Sequence, residues 1–224
     1  MRRGPDFAED YAAHPYWWDG CPPDDGAGDS LPKEADIVIV GSGYTGLHAA
    51  LVTARAGRAT VVVDAETPGW GCSTRNGGQM STSVKPDFSA LAKRHGETLA
   101  TDILREGQAS LDFTRDFIAT EGIDAEFRAV GRFHGAHHQK ALARLEQSLS
   151  APNPGFRSDA YMVSNMNLAE EIGTTAYPGG AVFPHHASID PAKYHAGLLA
   201  LCRAAGVGGG PHPPPPPHQP TLAG

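Results

Sequence analysis

Only three cysteines occur in 224 residues. Cys21, Cys72 and Cys202 lie far apart and are odd in number, so they outline neither a disulfide framework nor a zinc ligand pair. No apolar run approaches the roughly 18 residues that a membrane span needs. Basic surplus is lacking too. Eighteen Lys and Arg stand against 25 Asp and Glu, for a formal charge of −7, which argues against sequence-independent binding to nucleic acid. Met1-Arg2-Arg3 is followed by Pro5-Asp6-Phe7-Ala8-Glu9-Asp10, where a signal peptide would place its apolar stretch. These absences together predict a soluble, cytoplasmic chain with no membrane or nucleic-acid partner.

Glycine and proline, by contrast, are plentiful, at 27 and 19 residues. Twelve of the 19 residues from Gly206 to Gly224 are one or the other. Such a segment is poor in ladder donors and in apolar surface, and it predicts a disordered tail over 206–224. Pro213–Pro217 would form a short polyproline II rod. It is open to three readings: a ligand for a proline-recognition module, a plain disordered end, or a segment that is not the chain's original continuation.

Ahead of that tail the pattern is mixed α/β. Ala35–Val40 is a short β-branched run read as a buried parallel strand. Tyr44–Ala56 carries Leu47, Ala50, Leu51 and Ala54 at helical spacing, with Gly57 as its stop. Ala59–Asp64 is a second buried strand, and a right-handed β-α-β crossover joins the three. Further along, Gly96–Thr120 is a long helix with Leu99, Ile103, Leu111, Thr114, Phe117 and Ile118 near one face. Ile123–Ala129 alternates like a strand with one wet face, Gly131–Gly135 is a second strand, and Gln139–Leu149 is a helix. Asp190-Pro191 starts another helix, whose apolar stripe is Tyr194, Leu198, Leu199 and Cys202. Tyr16-Trp17-Trp18 and Cys21-Pro22-Pro23 form an irregular lead-in expected to lie over the first domain.

Within the crossover, Gly41-Ser42-Gly43-Tyr44-Thr45-Gly46 has the spacing G-x-G-x-x-G, between a strand and a helix, with Asp64 closing the next strand. Gly41 permits a tight turn, Gly43 admits a pyrophosphate and Gly46 lets the helix approach the strand. The helix amides carry partial positive charge toward the phosphates. Asp64 can take the adenosine ribose hydroxyls, with Ala65 beside it. The alternative is a tight turn with no ligand. The loop after the second strand offers Ser73, Thr74, Arg75, Asn76, Gly77 and Gly78, small residues and donors suited to a pyrophosphate and the pyrimidine edge of an isoalloxazine ring. A flexible surface loop is the competing view of it.

The stretches ADIVIVGSGYTGL, VVVDAE and GWGCSTRNGGQ resemble the D-amino-acid-oxidase/glycine-oxidase superfamily of FAD-dependent oxidoreductases. They are most similar to its γ-glutamylputrescine-oxidase-like amine oxidases, whose loop commonly reads G-[FW]-G-A-S-G-R-N-G-G-Q. Cys72 and Thr74 replace the usual Ala and Gly. Weaker similarity extends through Gly131–Gly135 and Phe183–Pro191. The resemblance implies FAD as cofactor and a small-molecule amine or amino acid as substrate. It also implies a Rossmann-like βαβ core over 35–90, following the lead-in at 1–34. The beginning of an α+β substrate domain would fill 91–180, and 181–205 would return to the first domain. Members run on past the helix ending at Ala205, so a truncated or frame-shifted oxidase is expected. The alternatives are a non-enzymatic remnant and an NAD-dependent dehydrogenase on the same βαβ unit. No catalytic residue is assigned. The histidines His134, His137, His138, His185 and His186 lack H-E-x-x-H or C-x-x-C company, so no metal is expected.

Overall fold

The computed structural model describes residues 8, 11–24, 31–82, 84–150 and 159–211. In chain order the elements begin with β1 (Ile37–Val40), α1 (Tyr44–Arg55) and β2 (Thr60–Asp64). Next come β3 (Gln79–Met80), α2 (Phe88–His95), α3 (Glu97–Glu121), β4 (Arg132–Gly135) and α4 (Gln139–Ser150). The series closes with β5 (Tyr161–Ser164), α5 (Leu168–Ile172), β6 (Gly179–Phe183), β7 (Ala187–Ser188), α6 (Pro191–Ala204) and β8 (Gly208–Pro211). Two compact units result: the described residues up to Gly77 with those from Asp190 onward, and Gly78–Ile189.

In the first unit the β-branched runs pair in parallel, Ile37 opposite Thr60 through Val40 opposite Val63. β8 joins the far edge of β2, also parallel, so the strand order is β1-β2-β8. This corrects the expected tail. The glycines of 208–211 lack side chains, and a side chain is what that position forbids: a Cβ on Gly209 would meet the Val62 carbonyl oxygen at 1.9 Å. Pro213–Pro217 lies outside the described residues. Leu47, Ala50 and Leu51 of α1 are buried, as are Val61–Val63 of β2 and Tyr194, Leu198 and Cys202 of α6. The Asp190 carboxylate caps α6, accepting from Ala192 N at 2.9 Å and Lys193 N at 3.1 Å, with Pro191 in its first turn as expected.

β1 is buried less well than β2. Val38 and Val40 are 61% and 70% exposed, and among the described residues only β2 pairs with it. A parallel strand is ordinarily covered on both faces. Val38→Lys is therefore expected to cut light scattering of the concentrated protein while moving stability by no more than about 0.5 kcal/mol. A drop in melting temperature with unchanged scattering would contradict this.

The second unit holds the antiparallel sheet β4-β6-β5 and the short β3-β7 pair. Leu91, Ala100 and Leu104 form a buried cluster with Val84, Phe88 and Ile103 against it. α2 was not anticipated. Asp87 starts it by accepting from Ala90 N at 2.9 Å. In α3 the buried positions are Ala100, Leu104, Leu111 and Ile118, whereas Leu99 is half exposed. The strand expected at Ile123–Ala129 does not form. Glu126 adopts φ 48°, which breaks an extended run, and only Arg128 bridges to Ser188. The change back to the first unit falls at Asp190 instead of 181, because β6 and β7 pair with strands of the second unit. The change out of it falls at Gly78, ahead of the expected boundary at 90. No described helix is long and apolar enough to cross a membrane.

Candidate cofactor site

The site begins where β1 stops. Gly41 takes φ 100°, a value glycine accepts readily, and its N–H donates to Val63 O at 2.8 Å. That bond carries the ladder one residue past the strand before the chain turns into α1. A Cβ on Gly46 would lie 1.9 Å from the Gly41 carbonyl oxygen and 3.3 Å from Ile39, so the third glycine is what seats α1 on the strand. Gly43 is the N-cap of α1 and offers no side-chain acceptor to the first helical amides. One acceptor comes from the second loop: Ser73 Oγ takes the Tyr44 N–H at 3.2 Å. A Cβ on Gly43 would stand 3.0 Å from that same Ser73 oxygen.

Asp64 points back at this turn. Its Oδ2 accepts from Ser42 N and from Ser42 Oγ, both at 2.6 Å, and Oδ1 accepts from Glu66 N at 3.3 Å. Burial alone would raise the carboxyl pKa. The bonds from Ser42, Glu66 and Ala65 outweigh it and hold the group below the usual carboxylate range. The charge therefore stands beside the glycine turn at neutral pH. Ala65 and Thr45 are exposed at the rim.

Within the second loop the side chains are mostly committed to one another. Thr74 is buried, its hydroxyl donating to Gly69 O at 2.5 Å and accepting from the Trp18 indole at 2.8 Å. Asn76 Nδ2 donates to Cys72 O and Ser73 O, each at 3.1 Å, while Trp17 Nε1 donates to Asn76 O at 2.7 Å. Arg75 lies over the Trp18 and Trp70 rings, at 5.8 and 5.5 Å. Thus Ser73 faces the glycine turn, the Asn76 side chain also bonds Tyr44 there, and Thr74 and Arg75 brace the loop against the lead-in. Gly77 is exposed. Gly78 belongs to the second unit, where its carbonyl accepts from Ile189 N at 2.9 Å.

His195 of α6 was not anticipated. It is 3% exposed and bonds Ser42 O at 2.7 Å through Nε2. A carbonyl only accepts, so Nε2 carries the proton. On its other edge the ring crowds Gly69, where an added Cβ would be 3.2 Å from Nδ1. The detectable signal was a histidine next to Tyr194 in a helix whose other inward residues are apolar. Together Ser42, Gly43, Asp64, Gly69, Ser73 and His195 line a cleft of about 90 Å³.

Burial pushes the His195 pKa down, against the smaller upward pulls of Ser42 and Asp64. A histidine held neutral in the folded chain takes up its proton on unfolding. Its contribution to stability is complete above an unfolded value of about 6.5 and is lost as pH falls from there through the folded value. His195→Gln keeps an N–H donor and removes the titration. Between pH 7.5 and 5.5 the variant is expected to lose less stability than the parent, by up to about 1.4 kcal/mol per pH unit. Parallel curves from pH-dependent thermal unfolding would refute this.

A βαβ unit whose glycine turn meets a helix N-terminus and an acid from the next strand defines a dinucleotide-binding fold. Residues 36–208 match the family described as DAO, FAD dependent oxidoreductase, and the chain belongs to that family. The NAD-dependent alternative is thereby set aside. Gamma-glutamylputrescine oxidoreductase of Escherichia coli (strain K12) is 37% identical over 174 residues, which make up 76% of this chain and 40% of that protein. L-Amino acid deaminase from Proteus myxofaciens in complex with anthranilate is similar in fold, with a TM-score of 0.63 at 20% identity over 83% of this chain and 40% of that one. L-alpha-Glycerophosphate oxidase from Mycoplasma pneumoniae with FAD bound gives a TM-score of 0.61 at 15% identity, over 78% and 44%. The chain thus spans about two fifths of the length of the relatives it matches.

Proposed function

We propose that this chain is the FAD-holding portion of an amine or amino-acid oxidase. The observation that carries the reading is Asp64 turned back onto Ser42 beside a helix N-terminus with no cap of its own. A diphosphate bridge would lie over Gly43, where a side chain would intrude, and would accept from the first amides of α1. Asp64, with Oδ1 only weakly engaged, would take the ribose hydroxyls beside it, near Ala65. Ser73 would shift its hydroxyl between Tyr44 N and a phosphate oxygen. Thr74, Arg75 and Asn76 would hold the second loop in place, and Gly77 and Gly78 would let it pass close to the ring system.

Held there, FAD would supply a two-electron acceptor for oxidising an amine to an imine by loss of hydride from the carbon next to nitrogen. The task of the chain is to bind and orient it. The 37% identical relative is named for an amine-bearing substrate, and a small-molecule amine or amino acid is the class that fits this reading. Cys21, Cys72 and Cys202 are all free thiols, in keeping with a reducing, cytoplasmic setting. The visible spectrum of the purified chain tests the proposal. Flavin bands near one equivalent per chain, bleached anaerobically by an amine, are the expected result. A colourless, folded chain that takes up no added FAD would overturn it.

A further inference from the structure

We propose that Arg132 and His186 in the second unit form a binding site for a carboxylate. The inference deepens the oxidase reading, on which it rests for the identity of the ligand's bearer. The local fold brings the two residues together for identifiable reasons. Gly131 turns the chain at φ 75° and donates its N–H to His186 O at 2.9 Å. The antiparallel register then sets Arg132 opposite Phe183. Phe183-Pro184-His185-His186 folds back on itself, with His186 N donating to Phe183 O at 3.3 Å and proline at the second position, where tight turns favour it.

Phe183 is the floor shared by both groups. The Arg132 guanidinium carbon sits 5.1 Å from its centroid. The His186 ring stacks on it at 5.2 Å and 18°. Neither cation-capable group has its donors spent. Arg132 Nε and His186 Nδ1 are both buried without a hydrogen-bond partner. His186 is 3% exposed, and its Nε2 reaches only Thr82 Oγ1, at the outer limit of 3.5 Å. Buried polar atoms are nearly always paired, and two orphaned groups beside one aromatic ring, close enough for the Arg132 charge to act on His186, call for an absent partner.

The charge balance selects an anion. Among the described residues no carboxylate pairs with Arg132, and the Asp159 carboxylate pairs with His185 at 2.7 Å. Burial is the first cause that keeps His186 neutral, with Arg132 and His185 adding to it. His134, on the same strand as Arg132, is held down in the same way by burial, Arg132 and His137. The guanidinium therefore stands beside neutral imidazoles, with no carboxylate paired to it among the described residues. A planar fork of N–H donors suits a carboxylate in particular, and Arg132 as a whole is half-buried.

The test is a titration of the ¹⁵N-labelled chain, with whatever flavin it retains, by sodium acetate and separately by acetamide. The His186 ring nitrogens, assigned by their loss in His186→Gln, are expected to shift saturably with acetate and not with acetamide. Arg132→Met, which keeps the stem on Phe183, should weaken acetate at least tenfold, about 1.4 kcal/mol, while Arg132→Lys retains part of the affinity. Absence of a saturable acetate shift in the unmutated chain overturns the site, and so does an equal response in a folded Met variant. Should the Met variant not fold, the acetate and acetamide arms on the parent still decide. If the carboxylate belongs to the oxidised substrate, acetate moves the bound flavin band with the same midpoint. A shift at His186 with an unmoved band assigns it to a free carboxylate. A folded chain that takes up no added FAD yet still answers to acetate sinks the oxidase reading and keeps the site.

Discussion

Gly46→Ala is expected to lower the melting temperature by roughly 6–12 °C, equivalent to about 3 kcal/mol in a chain of this size. The sign is the informative part. At an open helical position the same change gains about 0.5–1 kcal/mol, because alanine loses less backbone entropy on folding. Here the added methyl would fall 1.9 Å from the Gly41 carbonyl oxygen. The obstacle is backbone, so relief requires α1 to lift off β1, which would also pull its amides away from Ser73 and any phosphate. Gly71→Ala is the control, having φ −77° and nothing within 4 Å of its added carbon. It should stay within about 0.5 kcal/mol of the parent. Thermal unfolding by circular dichroism measures both, and a neutral or stabilising Gly46→Ala would show that the close packing is misplaced.

Asp64 carries the second large effect, and two substitutions divide its roles. Asp64→Ala strands the amide of Ser42, which is 3% exposed, at a cost of about 1–3 kcal/mol. Asp64→Asn keeps an acceptor oxygen for that amide and discards the charge. Stability should therefore fall mainly in the Ala variant, while FAD affinity should fall at least tenfold, about 1.4 kcal/mol, in both. The acid limb gives an independent reading. A carboxylate held below its ordinary pKa stabilises the fold above an unfolded value of about 3.9, and the gain disappears as pH falls through the folded value. Asn has no such limb, so its unfolding curves should be flatter below pH 5. Unchanged flavin retention in Asp64→Asn would move the ribose contact elsewhere.

How far the sequence could be read depended on which contacts hold each element. The crossover was legible because its signals are local: two β-branched runs, one helical stripe, and glycines at the spacing that a turn and a close helix require. The capped start of α6 was legible for the same reason, since Asp190 and Pro191 act on the next few residues. Strands made of glycine were not. β6 opens with Gly179-Gly180 and β8 with three glycines; the first carried no strand signal and the second read as disordered tail. Their small size answers to neighbours distant in sequence. A Cβ on Gly180 would meet the Phe133 ring at 2.3 Å, a contact that periodicity cannot register. The reverse failure occurred at Ile123–Ala129, where alternation predicted strand pairing but the β-bridge formed there is the single one of Arg128 to Ser188.

Within the cofactor site the division is similar. The order of residues along the chain determined which glycines turn, which helix end faces the turn, and which acid closes the neighbouring strand, because each follows from backbone sterics over a few residues. The tertiary structure decided what those groups hold on to. It alone brought His195 across a separation of 153 positions to the Ser42 carbonyl, set the two tryptophans of the lead-in against Thr74 and Asn76, and gathered Arg132 and His186 on one phenylalanine. These are long-range contacts, and their free energy depends on burial and exclusion of water, which exist only once the chain has folded.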